Sequence, residues 1–290
     1  MNQHLKSETI AFIGGGMMGG AIIHALIDKK LLPNDQILVS EINPKRRAYL
    51  QDKYRGVTFA ESNIEACKAA DIVVLAVKPQ MLPKVMVEIY GAFKKDTVIM
   101  SIIAGIPMST IQSGVGHDLI IRTMPNTPAQ IGEAMTVWTA TNEVGPDKRA
   151  GVQAVLQAMG LEIYVSNEDA LDMATAVCGT GPTYAFLLME ALLDAAVHMG
   201  LSRADARPLV IQTVLGSAKF AMQTDTHLAE LRNMVTSPGG TSAEAVYQME
   251  KGGMRTILSK AVWAAYKKAK LLGKRAESLP AAPLSVDNDK

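Results

Sequence analysis

Three glycines, Gly14, Gly16 and Gly19, stand in G-x-G-x-x-G spacing with Gly15, Met17 and Met18 between them. They follow the apolar run Thr9-Ile-Ala-Phe-Ile13 and lead straight into the helix-like Ala21-Ile-Ile-His-Ala-Leu-Ile27. Such a stretch predicts a strand that turns tightly, a backbone bare enough for a diphosphate to approach, and a helix N-terminus whose N–H groups face that anion. A glycine cluster alone also makes plain turns. The strand before it and the helix after it select dinucleotide binding.

Other residues offer complementary chemistry. Ser237-Pro-Gly-Gly-Thr-Ser242 presents small residues, Gly239 and Gly240 among them, at a helix start, where N–H groups and hydroxyls receive a carboxylate. Thr241 and Glu244 stand in capping-box relation, so Ser242 is left for chemistry if Thr241 caps. Gly179-Thr-Gly-Pro182 has a similar composition, with a plain helix junction as the competing reading. In the loop Thr224-Asp-Thr-His227, Asp225 could orient a substrate amine and His227 could face a cleft. His4, His24, His117 and His198 form no nucleophile motif and have no zinc spacing, so no metal is expected. His198 shares a stripe with Glu190 and Asp194 and could bond Asp194.

Glu41 lies about twenty residues past the third glycine, at the end of a second strand, where an acid accepts hydrogen bonds from a ribose diol and repels a 2′-phosphate, which favours NAD(H). Lys45, Arg46 and Arg47 follow at once and could reach a 2′-phosphate, or form a solvated helix face. NADH and NADPH both remain open. With a nucleotide loop, an anion-friendly helix start and no strong general acid, the inventory suits hydride transfer to a substrate that is already cationic.

Composition bounds the rest. The length allows two domains, and a net charge of +1 gives no electrostatic footprint for nucleic acid or an anionic membrane. Cys67 and Cys178 read as reduced thiols of a cytoplasmic protein, and the N-terminus has no secretory h-region. The most apolar stretch, residues 184–189, is followed by Glu190 and Asp194 and reads as too short to span a bilayer.

Strand-like and helix-like segments alternate up to about residue 165, the pattern of a parallel sheet with crossover helices. Strands are expected near residues 36–40, 57–59, 71–77, 97–102, 119–122, 135–138 and 162–165. Helices are expected at 45–54, 64–69 and 147–159. Beyond Asn167 only helical periods appear: 169–177, then 184–199 ended by Gly200, a helix capped by Ser202 and Asp205, one at 228–235, one ended by Gly252-Gly253, and 254–272 capped by Gly273. The helix at 184–199 is apolar nearly all round and must be enclosed, by its own domain or by a second subunit; a homodimer is expected. The boundaries are 1–166 for an α/β Rossmann-type dinucleotide-binding domain, 167–274 for an all-α domain, and 275–290 for a disordered tail.

Several motifs in this order resemble the pyrroline-5-carboxylate reductases, which make L-proline. They are Ile13-Gly-Gly-Gly-Met-Met-Gly19, Ala76-Val-Lys-Pro79, residues 101–105, Arg122-Thr-Met-Pro-Asn-Thr-Pro128, Gly179-Thr-Gly-Pro-Thr-Tyr184, Leu215-Gly-Ser-Ala-Lys219 and Met234-Val-Thr-Ser-Pro-Gly-Gly-Thr-Ser242. The resemblance implies a Rossmann domain followed by an all-helical dimerisation domain, with dimers assembled into rings. It implies dinucleotide contacts, with NADPH or NADH, at residues 14–19, Glu41, Asn63, Ala76, Val77, Lys78, Pro79, Ile102, Ile103 and Ala104. It implies substrate contacts at Asp225, Ser237, Gly239, Gly240, Thr241 and Ser242, with the Ser242 hydroxyl on the ring nitrogen. Many members carry Thr in place of Ser242, the members with Ser in place of Glu41 prefer NADPH, and some use Glu, one methylene longer, in place of Asp225.

Two rivals remain. One is another two-domain reductase of the same architecture, acting on a 3-hydroxy acid or a different cyclic imine; the hydroxy-acid enzymes usually need a lysine in the region 179–199, which has none. A non-catalytic redox sensor would have no need of an intact segment 237–242.

Overall fold

The computed structural model describes Leu5 and residues 7–277, and the chain divides into two compact units. The first takes the chain up to Thr180 together with residues from Ala265 onward; the second is Gly181–Ala264.

The first unit is an eight-stranded sheet of β1 (Ile10–Ile13), β2 (Ile37–Ser40), β3 (Thr58–Phe59), β4 (Ile72–Leu75), β5 (Val98–Ser101), β6 (Ile120–Met124), β7 (Ala134–Ala140) and β8 (Gly160–Tyr164). The order is β3-β2-β1-β4-β5-β6-β7-β8, and every pairing is parallel except β6 with β7. β1, β4 and β5 are buried at every position, as continuous apolar runs require when helices cover both faces. Alternate residues serve opposite cores. Ile10 and Phe12 pack with α1 (Met17–Asp28) and α6 (Pro146–Met159). Ala11 and Ile13 pack with α3 (Asn63–Ala69), α4 (Leu82–Ile89) and α5 (Met108–Val115). α4 and α5 were not among the expected helices. Strand order reverses between β1 and β4, so a crevice opens beyond the strand ends there.

The expected interruption at residues 179–182 is present: α7 (Asp169–Ala174) is followed by a π-turn, Thr175–Gly179, and Thr180 is a bend before α8 (Gly181–His198) starts with Pro182 in its first turn. The Thr180 N–H and hydroxyl both donate to the Thr175 carbonyl, so Gly179-Thr-Gly-Pro182 is a junction and not an open helix start. Counted by length and composition alone, residues 169–198 are apolar enough to cross a membrane, contrary to the reading of residues 184–189 as too short.

The second unit contains α8, α9 (Arg203–Met222), α10 (Leu228–Met234), α11 (Thr241–Lys251) and the beginning of α12 (Met254–Glu277). Ser202 caps α9 by accepting the Asp205 N–H, as expected, while Pro208 lies inside α9. Asp194 pairs with Arg203 rather than His198. Among the described residues of this unit only Ala196 and Ala206 are buried, and Phe186, Leu187, Leu192, Leu215 and Trp263 stand exposed. Large apolar side chains exposed together in this way mark a surface suited to association.

Gly273 does not end the last helix. α12 continues to Glu277, and a Cβ on Gly273 would lie 2.7 Å from the Gly105 carbonyl oxygen. The glycine is there for a close approach to the loop after β5. The expected tail beyond residue 277, and His4, lie outside the described residues.

Candidate functional site

Strand register builds the nucleotide cleft. Ile13 pairs with Ser40 on one side and with Leu75 on the other, and Leu75 pairs with Ser101. The next residues, Gly14, Glu41, Ala76 and Ile102, therefore share one crest at the C-terminal end of the sheet. A cleft of about 310 Å³ opens there, lined in part by Gly14, Gly16, Glu41, Asn63, Val77 and Lys78.

Each glycine of the loop has its own physical reason. Gly14 has φ +99°, and a Cβ there would lie 2.9 Å from the Ala76 carbonyl oxygen. A Cβ on Gly19 would lie 2.6 Å from the Gly14 carbonyl oxygen, so this glycine lets α1 close on the turn. Gly16 differs: nothing lies within 4 Å of its Cβ position. It begins α1 with no side chain capping the first-turn N–H groups. An open backbone with uncapped donors at the switch point is what a diphosphate needs, so these residues fit a bound dinucleotide.

Glu41 is held at the neck of the cleft, where one carboxylate oxygen accepts the Gly15 N–H (2.9 Å) and the other the Asn43 N–H (2.8 Å). Asn63 is buried beneath the crest. Its Oδ1 accepts the Ser40 hydroxyl and its amide donates to Glu88, so it shapes the wall with both ends engaged. Pro79 begins a 3₁₀ turn, Pro79–Met81, with Lys78 as its cap residue. Ile102 and Ala104 are half-buried and Ile103 is buried. The basic trio is largely committed elsewhere. Arg46 donates to the Gly15 and Gly16 carbonyls (2.6 and 3.0 Å), and Arg47 reaches the Ala60 carbonyl and Glu61.

Sequence reasoning missed a buried ion cluster beside this crest. Arg122, near the end of β6 and almost inaccessible, pairs with Asp172 (2.7 Å) and Glu168 (2.9 Å). Glu168 also accepts the Met108 N–H at the start of α5. Asn126 adds a second tie, donating to the Cys178 carbonyl and accepting the Met135 N–H. Together they fasten the loop at residues 124–128 and the π-turn to the sheet. The Arg122-Thr-Met-Pro-Asn-Thr-Pro128 motif was the only signal. Its partners lie 46 and 50 residues away.

The second unit places the proposed substrate segment at the start of α11. The Gly240 N–H donates to the Ser237 carbonyl (3.0 Å), with Pro238 and positive-φ Gly239 between them, a turn of type II character. That turn makes Gly240 the N-cap of α11. The capping-box expectation is corrected: Thr241 is the first helical residue and caps nothing, and Glu244 bonds Gln248 instead. The hydroxyls of Thr241 and Ser242 are thus both uncommitted to the cap. Asp225 is exposed in its loop, where the Thr224 and Thr226 hydroxyls bond each other. His227 caps α10 through Nδ1, which accounts for it structurally.

No group of His, Cys, Asp and Glu among the described residues could hold a metal ion. Cys67 is buried, and burial pushes its thiol up to about 12. Burial likewise raises half-buried Cys178, whose Sγ donates to the Ala174 carbonyl. Neither behaves as a nucleophile.

Comparison with known proteins agrees with this geometry. Residues 168–272 match the family model for pyrroline-5-carboxylate reductase dimerisation, and residues 9–105 match that for NADP oxidoreductase, coenzyme F420-dependent. The dimerisation match begins at 168, close to the expected boundary of 167, although α7 packs with the sheet unit. A pyrroline-5-carboxylate reductase of Synechocystis is 42% identical over 93% of this chain and 100% of its own length. That of Escherichia coli is 39% identical over 92% and 99%. Two solved structures superpose over 92% of this chain and 99% of their own. One is the Plasmodium falciparum pyrroline carboxylate reductase with NADP bound (TM-score 0.85, 29% identical), the other a Coxiella burnetii pyrroline-5-carboxylate reductase (0.83, 36%). With such identity along nearly its whole length, the chain belongs to the pyrroline-5-carboxylate reductase family.

Proposed function

We infer that the chain reduces 1-pyrroline-5-carboxylate to L-proline, the last step of proline biosynthesis. The observation that carries this reading is full-length family membership joined to an open, uncapped glycine turn at the sheet's switch point. When bound, the reduced nicotinamide cofactor supplies the hydride. C5 of the protonated ring accepts it, the C=N electron pair passes to nitrogen, and the amine of proline results. Because the substrate is already a cation, the protein need not supply a strong acid. Its work is binding and alignment.

The roles of individual residues follow as part of this proposal. The Gly14–Gly19 turn holds the diphosphate, Glu41 the adenosine ribose, and the segments at Ala76–Pro79 and Ile102–Ala104 the rest of the dinucleotide. The turn Ser237–Gly240 and the N–H groups of Thr241 and Ser242 hold the substrate carboxylate, and a hydroxyl of this pair bonds the ring nitrogen. Asp225 attracts the cationic ring. Uncommitted hydroxyls at a helix start without a side-chain cap support that assignment.

The exposed apolar faces of α8, α9 and α12 support a homodimer, with dimers assembling further into a ring. A second subunit, rather than lipid, covers the apolar run of α8. The proposed enzyme is cytoplasmic and acts on a small molecule, with neither nucleic acid nor membrane as partner; the near-neutral charge supports the lack of an electrostatic footprint for either polyanion. The test is spectrophotometric: dihydronicotinamide oxidation must require pyrroline-5-carboxylate. Oxidation without it, or none with it, would refute the reading.

A further inference from the structure

We propose that Glu41 makes this enzyme discriminate against the 2′-phosphate, so that NADH is bound in preference to NADPH. The proposal rests on the reductase reading and goes beyond it to the choice between the two dinucleotides. A Rossmann crevice presents the end of its second strand to the adenosine ribose. The group placed there is a carboxylate, fixed by two backbone N–H groups, Gly15 at 2.9 Å and Asn43 at 2.8 Å. Those two bonds pin both oxygens and leave each with acceptor capacity for a ribose hydroxyl. They also prevent the carboxylate from swinging aside without breaking hydrogen bonds.

A 2′-phosphate could be accommodated if cations or free N–H groups compensated for Glu41. The structure directs them elsewhere. The start of α2 (Pro44–Lys53) would be an anion site, but the Asn43 side chain accepts the Lys45 and Arg46 N–H groups itself (3.0 and 3.2 Å). Arg46 lines a cleft with Glu41, but its guanidinium is engaged by the Gly15 and Gly16 carbonyls and stacks on Tyr49. A Cβ on Gly20 would lie 2.6 Å from its guanidinium, so this pocket is close-fitting. Arg47 points toward β3, bonding the Ala60 and Phe59 carbonyls and Glu61. Lys45 is exposed and uncommitted, and Lys53, which lines a cleft with Glu41, lies exposed over Tyr49 and Tyr54; flexible ammoniums in water do not offset a fixed carboxylate against a dianion.

A singly charged carboxylate about 6 Å from a doubly charged phosphate disfavours binding by about tenfold even at the dielectric constant of water. The experiment measures equilibrium binding of NADH and NADPH to the full-length enzyme by fluorescence titration. Competition by 5′-AMP and 2′,5′-ADP provides a readout that does not involve the nicotinamide. The expected result is at least about tenfold tighter binding of NADH, a similar advantage for 5′-AMP, and a ratio that shrinks toward one in Glu41→Gln. Equal binding of the pairs, or tighter binding of NADPH, would overturn the proposal, and both are read on the wild-type protein alone. An unchanged ratio in a folded Glu41→Gln would remove Glu41 as the discriminating group. Failure of both nucleotides to bind would overturn the nucleotide site itself, a result distinct from the wrong preference.

Discussion

Gly16→Ala separates the glycine turn's structural demands from its binding role. Gly16 has φ −60° and ψ −163°, a backbone any residue adopts, and its Cβ position has nothing within 4 Å. Folding should therefore be almost indifferent. Replacing glycine with alanine at a compatible site gains about 0.4–1 kcal/mol by restricting the unfolded chain. Alanine is a poorer N-cap than glycine by a similar amount, so the two effects nearly cancel. The added methyl nonetheless occupies the open face over the first turn of α1, where the diphosphate is to sit. Displacing that anion from one N–H removes a charge-assisted hydrogen bond of about 1.5–3 kcal/mol, roughly a 10- to 150-fold loss of affinity. Thermal unfolding without nucleotide and fluorescence titration with NADH together check the prediction. A variant of unchanged stability that binds NADH as tightly as the wild type would refute the placement of the diphosphate on this turn. Gly19→Ala provides the contrast, because its Cβ meets the Gly14 carbonyl oxygen at 2.6 Å and must shift backbone.

Three further outcomes are expected. Arg122→Leu should cost about 3–5 kcal/mol in denaturant unfolding, since it leaves buried Asp172 without its guanidinium; Arg122→Leu/Asp172→Leu should recover part of that loss, and additive costs would contradict the coupling. Ser242→Ala should lower turnover roughly tenfold with NADH affinity intact, and equal turnover would remove Ser242 from the mechanism. Burial alone would raise the Asp71 pKa, but the Lys94 ammonium and the Thr9 N–H outweigh it and hold the carboxyl below its usual range. Its contribution is present above the ordinary carboxylate pKa and is lost as pH falls through the lower folded value. Because the pair is partly exposed, the effect is at most about 1 kcal/mol, read as a smaller acid-induced loss of Tm in Asp71→Asn than in the wild type.

Much of the sheet unit was legible because apolar runs bounded by glycine and charged residues have few alternatives. Ile10–Ile13 and Ile72–Leu75 are buried on both faces, as their composition required. The glycine turn was legible for the same reason, since spacing and flanking elements carry the information. Features that depend on distant partners were not. Arg122 reads as one residue of a motif until the fold brings Glu168 and Asp172 to it. Gly273 reads as a helix stop until Gly105 is found against it. Thr241 and Glu244 fit a capping box by spacing alone, but the turn ahead of them moves the cap to Gly240. The break at Gly179–Pro182 was legible, but the pattern gave no sign of the π-turn, Thr175–Gly179, that leads into it.

The most direct test of the account follows the hydride itself. Dihydronicotinamide carrying deuterium at both C4 positions is supplied with unlabelled pyrroline-5-carboxylate, and the product is examined by mass spectrometry and NMR. Proline with deuterium at C5, formed one for one with dihydronicotinamide consumed, is the expected result. Deuterium lost to solvent, found at another carbon, or absent because no proline forms would contradict it.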